Sequence, residues 1–128
     1  MAENGSKPIR LGMVGGGTGA FIGYVHRIAA RLDGDFELVA GALSSRPSVA
    51  KESGRNLGLD PKRVYTSYED MAVKEAARPD GIQAVAIVTP NHMHFGPAKA
   101  TRIKVKKSSA KRESLFKQVK AKLSKAKV

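Results

Sequence analysis

Residues 9–26 read I-R-L-G-M-V-G-G-G-T-G-A-F-I-G-Y-V-H, and this stretch decides the predicted fold. An apolar run over residues 9–14 predicts a strand, and a burst of glycines follows between Gly15 and Gly19. Apolar residues then recur at helical spacing: Phe21, Ile22, Val25, Ile28, Ala29 and Leu32. The order strand, glycine turn, helix predicts a phosphate-binding site, because the free N–H groups at the start of the helix face the anion.

The glycine spacing matches the dinucleotide fingerprint, with Gly15, Gly17 and Ala20 in its three positions. Gly15 lets the chain turn sharply, and Gly17 lets a pyrophosphate approach the backbone. A second interpretation takes Gly23 as the close-packing glycine, one helical turn later. The pattern alone is also typical of a mobile loop, but its place between a strand and a helix favours dinucleotide binding.

Length and composition predict an ordinary globular domain. The chain has 128 residues and no cysteine, which excludes disulfides and thiolate metal sites. No apolar run approaches membrane-spanning length, and the polar start lacks a signal-peptide core, so we expect a cytoplasmic protein.

The net charge of +12 is concentrated at one end. Residues 1–100 carry 12 Lys and Arg against 10 Asp and Glu, whereas residues 101–128 carry 11 against Glu113 alone. We therefore predict a near-neutral domain over residues 1–100 and a basic tail over residues 101–128.

The rest of the body alternates strand and helix patterns. Strands are predicted over 36–42, 64–66 and 82–88, and helices over 47–57 and 68–77. Pro47 suits a first helical position, Ser67 with Asp70 has capping-box spacing, and Asn91 is expected to cap a further helix. The pattern predicts an α/β fold, a Rossmann-like doubly wound parallel sheet of about four to five strands. Ligands of such sheets bind beyond the carboxyl ends of the strands.

Two polar segments follow predicted strands and are expected to meet at that edge. After the second strand, Ser44, Ser45 and Arg46 replace the acid that commonly holds a ribose hydroxyl, which favours NADP over NAD. The alternative is that Ser45 only caps the next helix and that Arg46 is solvated.

The second polar segment follows the last strand and contains Thr89, Pro90, Asn91 and His94. Its simpler interpretation is a helix start. His92 and His94 without a nearby acid make a poor metal site, so no metal is predicted.

Together these residues resemble the N-terminal domain of the Gfo/Idh/MocA oxidoreductases. V-G-G-G-T-G-A-F-I-G-Y-V-H and A-V-A-I-V-T-P-N-H-M-H-F carry the resemblance, which covers about residues 9–100. It implies hydride transfer between NAD(P) and a sugar or polyol-like carbon. It also assigns residues to three parts of the cofactor: Gly15, Gly17, Ala20 and Phe21 to the pyrophosphate, Ser44, Ser45 and Arg46 to the adenosine ribose, and Thr89, Pro90, Asn91 and His94 to the nicotinamide side.

Beyond Ala100 the sequence departs from that family. The family continues to a fifth strand, a Glu-Lys-Pro signature with a catalytic lysine, and a second, substrate-binding domain. No Glu-Lys-Pro occurs in this sequence. We therefore assign no catalytic residue and expect this chain to bind the cofactor without turning over substrate. The break in composition favours a truncation or a change of reading frame.

The tail itself shows two patterns. Ile103 and Val105 alternate with basic residues, which predicts an edge strand. Leu115, Phe116, Val119, Leu123 and Ala126 share one helical face. The alternative function is therefore a non-enzymatic protein whose tail contacts nucleic acid or an anionic membrane, and a homo-oligomer is also possible.

Overall fold

The computed structural model describes residues 7–105, which form an α/β fold of three strands and four helices. The strands are β1 (Ile9–Val14), β2 (Phe36–Ala42) and β3 (Ala84–Ile87). The helices are α1 (Phe21–Arg31), α2 (Pro47–Asn56), α3 (Tyr68–Ala77) and α4 (Phe95–Val105). Short 3-10 turns cover Pro61–Arg63 and Asn91–Met93.

The three strands form a parallel sheet in the order β2-β1-β3, so β1 with its glycine loop is central. The predicted strand at 64–66 is reduced to a single parallel bridge between Gly41 and Val64, beside β2. The 3-10 turn ends at Arg63, and the side chain of Ser67 already caps α3 by accepting the Asp70 N–H at 3.1 Å. Too few residues remain between them for a full strand, so the sheet has fewer strands than the four to five predicted.

The core lies on both faces of the sheet, because successive side chains of β1 point to opposite sides. Met13 packs on one face with Leu43, Leu59 and Val88. Val14 packs on the other face in a second buried cluster. The remaining members of that cluster are Ala40, Ala42, Tyr65, Met71 and Ile82.

The apolar stripe of helix α1 is not the face that the helix buries. Its one buried residue is Gly23, and Arg27 and Ala30, four and seven positions on, are half-buried. The stripe lies on the exposed side instead, with Phe21 77% and Leu32 76% exposed. Gly23 allows the helix backbone to come so close to the glycine loop that the large side chains are turned away from the sheet.

The edge strand predicted at Ile103 and Val105 is wrong. The backbone of Ile103 and Val105 belongs to the last turn of helix α4, and α4 packs on α3 and β3. The predicted helix from Leu115 lies outside the described residues. Within residues 7–105, no helix has the length and apolar character needed to cross a membrane.

Candidate dinucleotide-binding site

The loop between β1 and α1 has a backbone that requires glycine. Gly15, Gly16 and Gly19 have φ of 82°, 75° and 91°, in the left-handed region that side chains disfavour. Gly15 therefore makes the sharp turn that the fingerprint assigned to it.

The predicted strand ends converge on this loop. The Gly15 N–H donates to the Ala42 carbonyl at 2.9 Å, which ties the loop to the end of β2. The Val88 N–H donates to the Val14 carbonyl at 2.9 Å, and a Cβ added to Gly15 would lie 3.1 Å from Thr89 Cγ2. Segments far apart in sequence thus meet at the carboxyl edge of the sheet.

Gly17 lacks the space for a side chain, whether or not a ligand binds there. A Cβ there would lie 2.8 Å from the Leu43 carbonyl oxygen and 3.1 Å from Ser53 Oγ. The missing side chain therefore allows the loop to pack on the end of β2 and on α2. Ser53, which is buried, strengthens this packing because its Oγ accepts the Thr18 N–H at 2.9 Å.

The close-packing position of the fingerprint is Gly23, as the second interpretation held. A Cβ on Gly23 would lie 2.5 Å from Gly16 Cα, so only glycine fits. Ala20 is exposed and is the N-cap of α1; its N–H donates to the Gly17 carbonyl at 2.9 Å.

Arg27 lies beneath the loop, one turn of α1 after Gly23. Its Nη1 donates to the Gly16 carbonyl at 2.7 Å and contacts Met13 Sδ at 3.6 Å. Burial, and secondarily the nearby charge of Arg31, lower the pKa of the Arg27 guanidinium from its ordinary value.

Backbone donors are available where an anion would sit. Within residues 7–105, the Gly17 N–H has no hydrogen-bond acceptor. The N-cap of α1 supplies no side-chain acceptor to the first turn, and Phe21 at its start is exposed. Unpaired amides at a helix start, next to a glycine turn, fit a phosphate group.

The segment after β2 is arranged as a turn into α2. Ser44 Oγ accepts the Arg46 N–H at 3.1 Å, and Arg46 is the exposed N-cap of α2. Pro47 takes the first helical position as predicted, but Ser45 makes no side-chain cap, so the capping role suggested for Ser45 was wrong. Ser45 and Arg46 are left facing solvent at the carboxyl edge.

The segment after β3 folds back on itself. His94 Nε2 donates to the Thr89 carbonyl at 2.7 Å, and Thr89 Oγ1 donates to the Met93 carbonyl at 3.1 Å. The cap predicted at Asn91 is wrong, because Asn91 opens a 3-10 turn whose N-cap is Pro90. Asn91 and His94 are both exposed. Within residues 7–105 there is no cluster of three or more potential metal ligands.

Two contributors to this site escaped the sequence analysis. Arg27 lies four residues after Gly23, and Ser53 lies three after the buried Ala50, so each lies on the buried face of its helix. The available signal was the helical spacing of small residues, glycine and alanine, which mark these buried faces, rather than the spacing of large apolar side chains.

A parallel α/β sheet with a glycine turn and a helix start at its carboxyl edge defines a Rossmann-type nucleotide-binding domain. The chain belongs to the Gfo/Idh/MocA family, described as the oxidoreductase family with an NAD-binding Rossmann fold, which it matches over residues 9–105.

Relatives of known structure share this fold. An oxidoreductase from Sinorhizobium meliloti is 63% identical with a TM-score of 0.73, over 77% of this chain and 27% of its own. An inositol dehydrogenase homologue from Azotobacter vinelandii, in complex with NADH and myo-inositol, is 48% identical with a TM-score of 0.76, over 78% of this chain and 26% of its own.

A curated relative gives the same picture. The uncharacterized oxidoreductase YfiI of Bacillus subtilis (strain 168) is 47% identical over 96 residues, which is 74% of this chain and 24% of that protein. This chain therefore spans about a quarter of the length of the relatives it matches.

Proposed function

We propose that residues 7–105 bind a nicotinamide dinucleotide, with its pyrophosphate against the Gly17 N–H and the first turn of α1. The observation that carries the proposal is the Gly17 amide, which has no acceptor within residues 7–105 and lies where three strand ends converge. A buried or half-buried amide without a partner is costly unless a ligand or water completes it.

The turn after β3 forms the nicotinamide side in this proposal. Its two internal hydrogen bonds, through Thr89 and His94, hold the turn in one shape next to Gly15. The bound cofactor would supply or accept a hydride, while these residues would orient its ring. The relative crystallised with NADH and myo-inositol supports a polyol or sugar as the substrate of the oxidoreductase.

The preference for NADP stays a prediction that the site can test. Arg46 is exposed at the start of α2 and has no carboxylate within ion-pair distance among the described residues, so it is free to meet a 2′-phosphate. The relative from Azotobacter vinelandii was crystallised with NAD+ and with NADH, which supports NAD instead. Arg46→Ala should weaken NADPH binding about tenfold and leave NADH binding unchanged, because only NADPH carries the extra phosphate. Titrating each variant with both cofactors, and following nicotinamide fluorescence, measures the two affinities.

The proposal itself is tested by thermal unfolding of the 128-residue chain with and without NADH or NADPH. A ligand that binds only the folded state stabilises it by about 2.7 kcal/mol at a hundred times its dissociation constant. A melting temperature that rises with dinucleotide, but not with the same concentration of nicotinamide, supports the assignment. No rise with either cofactor at millimolar concentration contradicts it. Location in the cytoplasm, and contact of the tail with nucleic acid or anionic membrane, remain predictions from the sequence.

A further inference from the structure

The hydrogen bond from Arg27 to the Gly16 carbonyl also fixes the orientation of the whole peptide unit that contains this carbonyl. The Gly16 carbonyl and the Gly17 N–H belong to one peptide unit, and no peptide bond in the described chain is cis. In a trans peptide these two groups point in opposite directions. Since the Arg27 guanidinium holds the oxygen at 2.7 Å, the Gly17 N–H points to the opposite side of this peptide from Arg27.

This peptide needs an anchor because glycine flanks it on both sides. Turning a peptide unit over changes ψ of the residue before it and φ of the residue after it. Both residues here are glycines, for which either orientation is sterically accessible. Gly16 is already at a positive φ of 75°. In the described chain the Arg27 guanidinium is the side-chain donor that the Gly16 carbonyl accepts.

Gly23 makes this arrangement possible. A Cβ on Gly23 would lie 2.9 Å from both the Gly16 carbonyl oxygen and Arg27 Nη1. Because Gly23 has no side chain, there is space for the Arg27 guanidinium to reach the Gly16 carbonyl. Within residues 7–105, Arg27 has no carboxylate within ion-pair distance, so its charge is not neutralised locally.

We propose that Arg27 is a positioning residue for dinucleotide binding, which acts through the Gly16–Gly17 peptide and turns the Gly17 N–H toward the pyrophosphate. The inference rests on the proposed function, since it presumes that the pyrophosphate binds at this loop. A charge-assisted hydrogen bond to the carbonyl also polarises the peptide, which makes its N–H a better donor to an anion.

The test compares Arg27→Met and Arg27→Lys with Arg31→Met. Arg31 is on the same helix, one turn later, and is exposed, so its replacement removes an equal charge without touching the loop. We expect Arg27→Met to weaken NADH binding between about tenfold and a hundredfold, the range for one charge-assisted hydrogen bond. Arg27→Lys should recover part of the affinity, and Arg31→Met should bind NADH like the parent chain. Equal affinities for Arg27→Met and Arg31→Met overturn the inference.

A second readout separates positioning from general loss of structure. In ¹H–¹⁵N spectra of the parent chain, the Gly17 amide should be among those that shift most on addition of NADH. In folded Arg27→Met that shift should shrink, whereas amides of the turn after β3 should still respond. If the Gly17 amide signal of the parent chain does not shift when NADH binds, the inference is overturned, even if Arg27→Met does not fold. Absence of NADH binding by the parent chain overturns the proposed function instead.

Discussion

Glu75 lies inside the molecule, with an exposure of 1%. Its carboxylate accepts from Arg63 Nε at 3.0 Å, from Arg63 Nη2 at 2.6 Å and from the Tyr65 hydroxyl at 2.9 Å. It also accepts the Ile82 N–H at 3.3 Å, just before β3. Burial, and then the bonded carboxylate, raise the pKa of Tyr65, so its phenol keeps its proton. One side chain therefore joins the turn before α3, α3 itself and the approach to β3.

Glu75→Ala should destabilise the fold by about 3 kcal/mol, because the buried Arg63 guanidinium loses its two bonds to the Glu75 carboxylate and keeps, among the described residues, only Asp80, with the carbonyl oxygen at 3.1 Å and the carboxylate at 3.7 Å. Asp70→Asn is the matched control on the same helix, since the Asp70–Lys74 pair is exposed at the surface. The control should change the free energy of unfolding by less than about 1 kcal/mol. Urea unfolding of both variants measures the difference, and similar losses for the two would contradict the role given to Glu75.

The roles of individual residues could be predicted from the sequence only where they depend on neighbouring residues. The capping role of Ser67 and the turn at Gly15 were predictable because each depends on its immediate neighbours. The Arg63–Glu75 pair could not be predicted, because the sequence does not show which of its many charged residues are buried. Likewise, a side chain at Gly17 would collide with the carbonyl of Leu43, and tertiary packing alone brings these two residues together.

Helix α1 buries a different face from the one on which its large apolar residues lie. The periodicity of large apolar residues predicted the helix, and the structure has it over Phe21–Arg31. The face of α1 that packs on the glycine loop contains its smallest residue, Gly23, because the close approach of helix and loop decides how α1 is oriented. Periodicity reports amphipathicity, but it does not say which partner the apolar side will meet.

Gly23→Ala gives this account a direct test. In an isolated helix the change favours folding by about 1 kcal/mol. Here the new methyl would lie 2.5 Å from Gly16 Cα, so the helix must move away from the loop. We expect a net loss of about 2 kcal/mol in unfolding free energy and weaker NADH binding, because overpacking forces the backbone to shift.

Tyr24→Ala is the matched control, since Tyr24 is the next residue and is 56% exposed. Its effect on stability should stay within about 0.5 kcal/mol, as is usual for surface positions. If Gly23→Ala proves as stable as the parent chain, the close packing of Gly16 on Gly23 does not govern how α1 docks.

At the scale of the whole molecule, the alternation of strands and helices was sufficient to predict a parallel α/β fold and its ligand-binding edge. It could not predict that the segment at Val64 makes only a bridge, because a short apolar run does not reveal the turns that confine it. Nor did it give the end of α4. Ile103 and Val105 alternate with basic residues, yet helix α4, which packs on α3, runs to Val105.

The end of α4 sets where the chain should be divided to test the tail. A cut after Ala100 would remove the last turns of a helix that packs on α3, whereas a cut after Val105 keeps the described domain whole. Residues 106–128 carry nine Lys and Arg against Glu113. Any binding of polyanions by this segment should therefore be electrostatic and steeply dependent on salt.

We expect the chain ending at Val105 to bind NADH within about twofold of the full chain at 0.15 M salt, because screening limits the tail's field to roughly 8 Å. The same deletion should abolish salt-sensitive retention on heparin, which serves as the polyanion probe. The chain ending at Ala100 should melt at a lower temperature than the one ending at Val105, since it shortens α4, the helix that packs on α3. Calorimetric NADH titration and melting curves of the three chains decide these points. A large loss of NADH affinity on removal of residues 106–128 alone would make the tail part of the dinucleotide site. The near-neutral body and the basic tail would then not have separate functions.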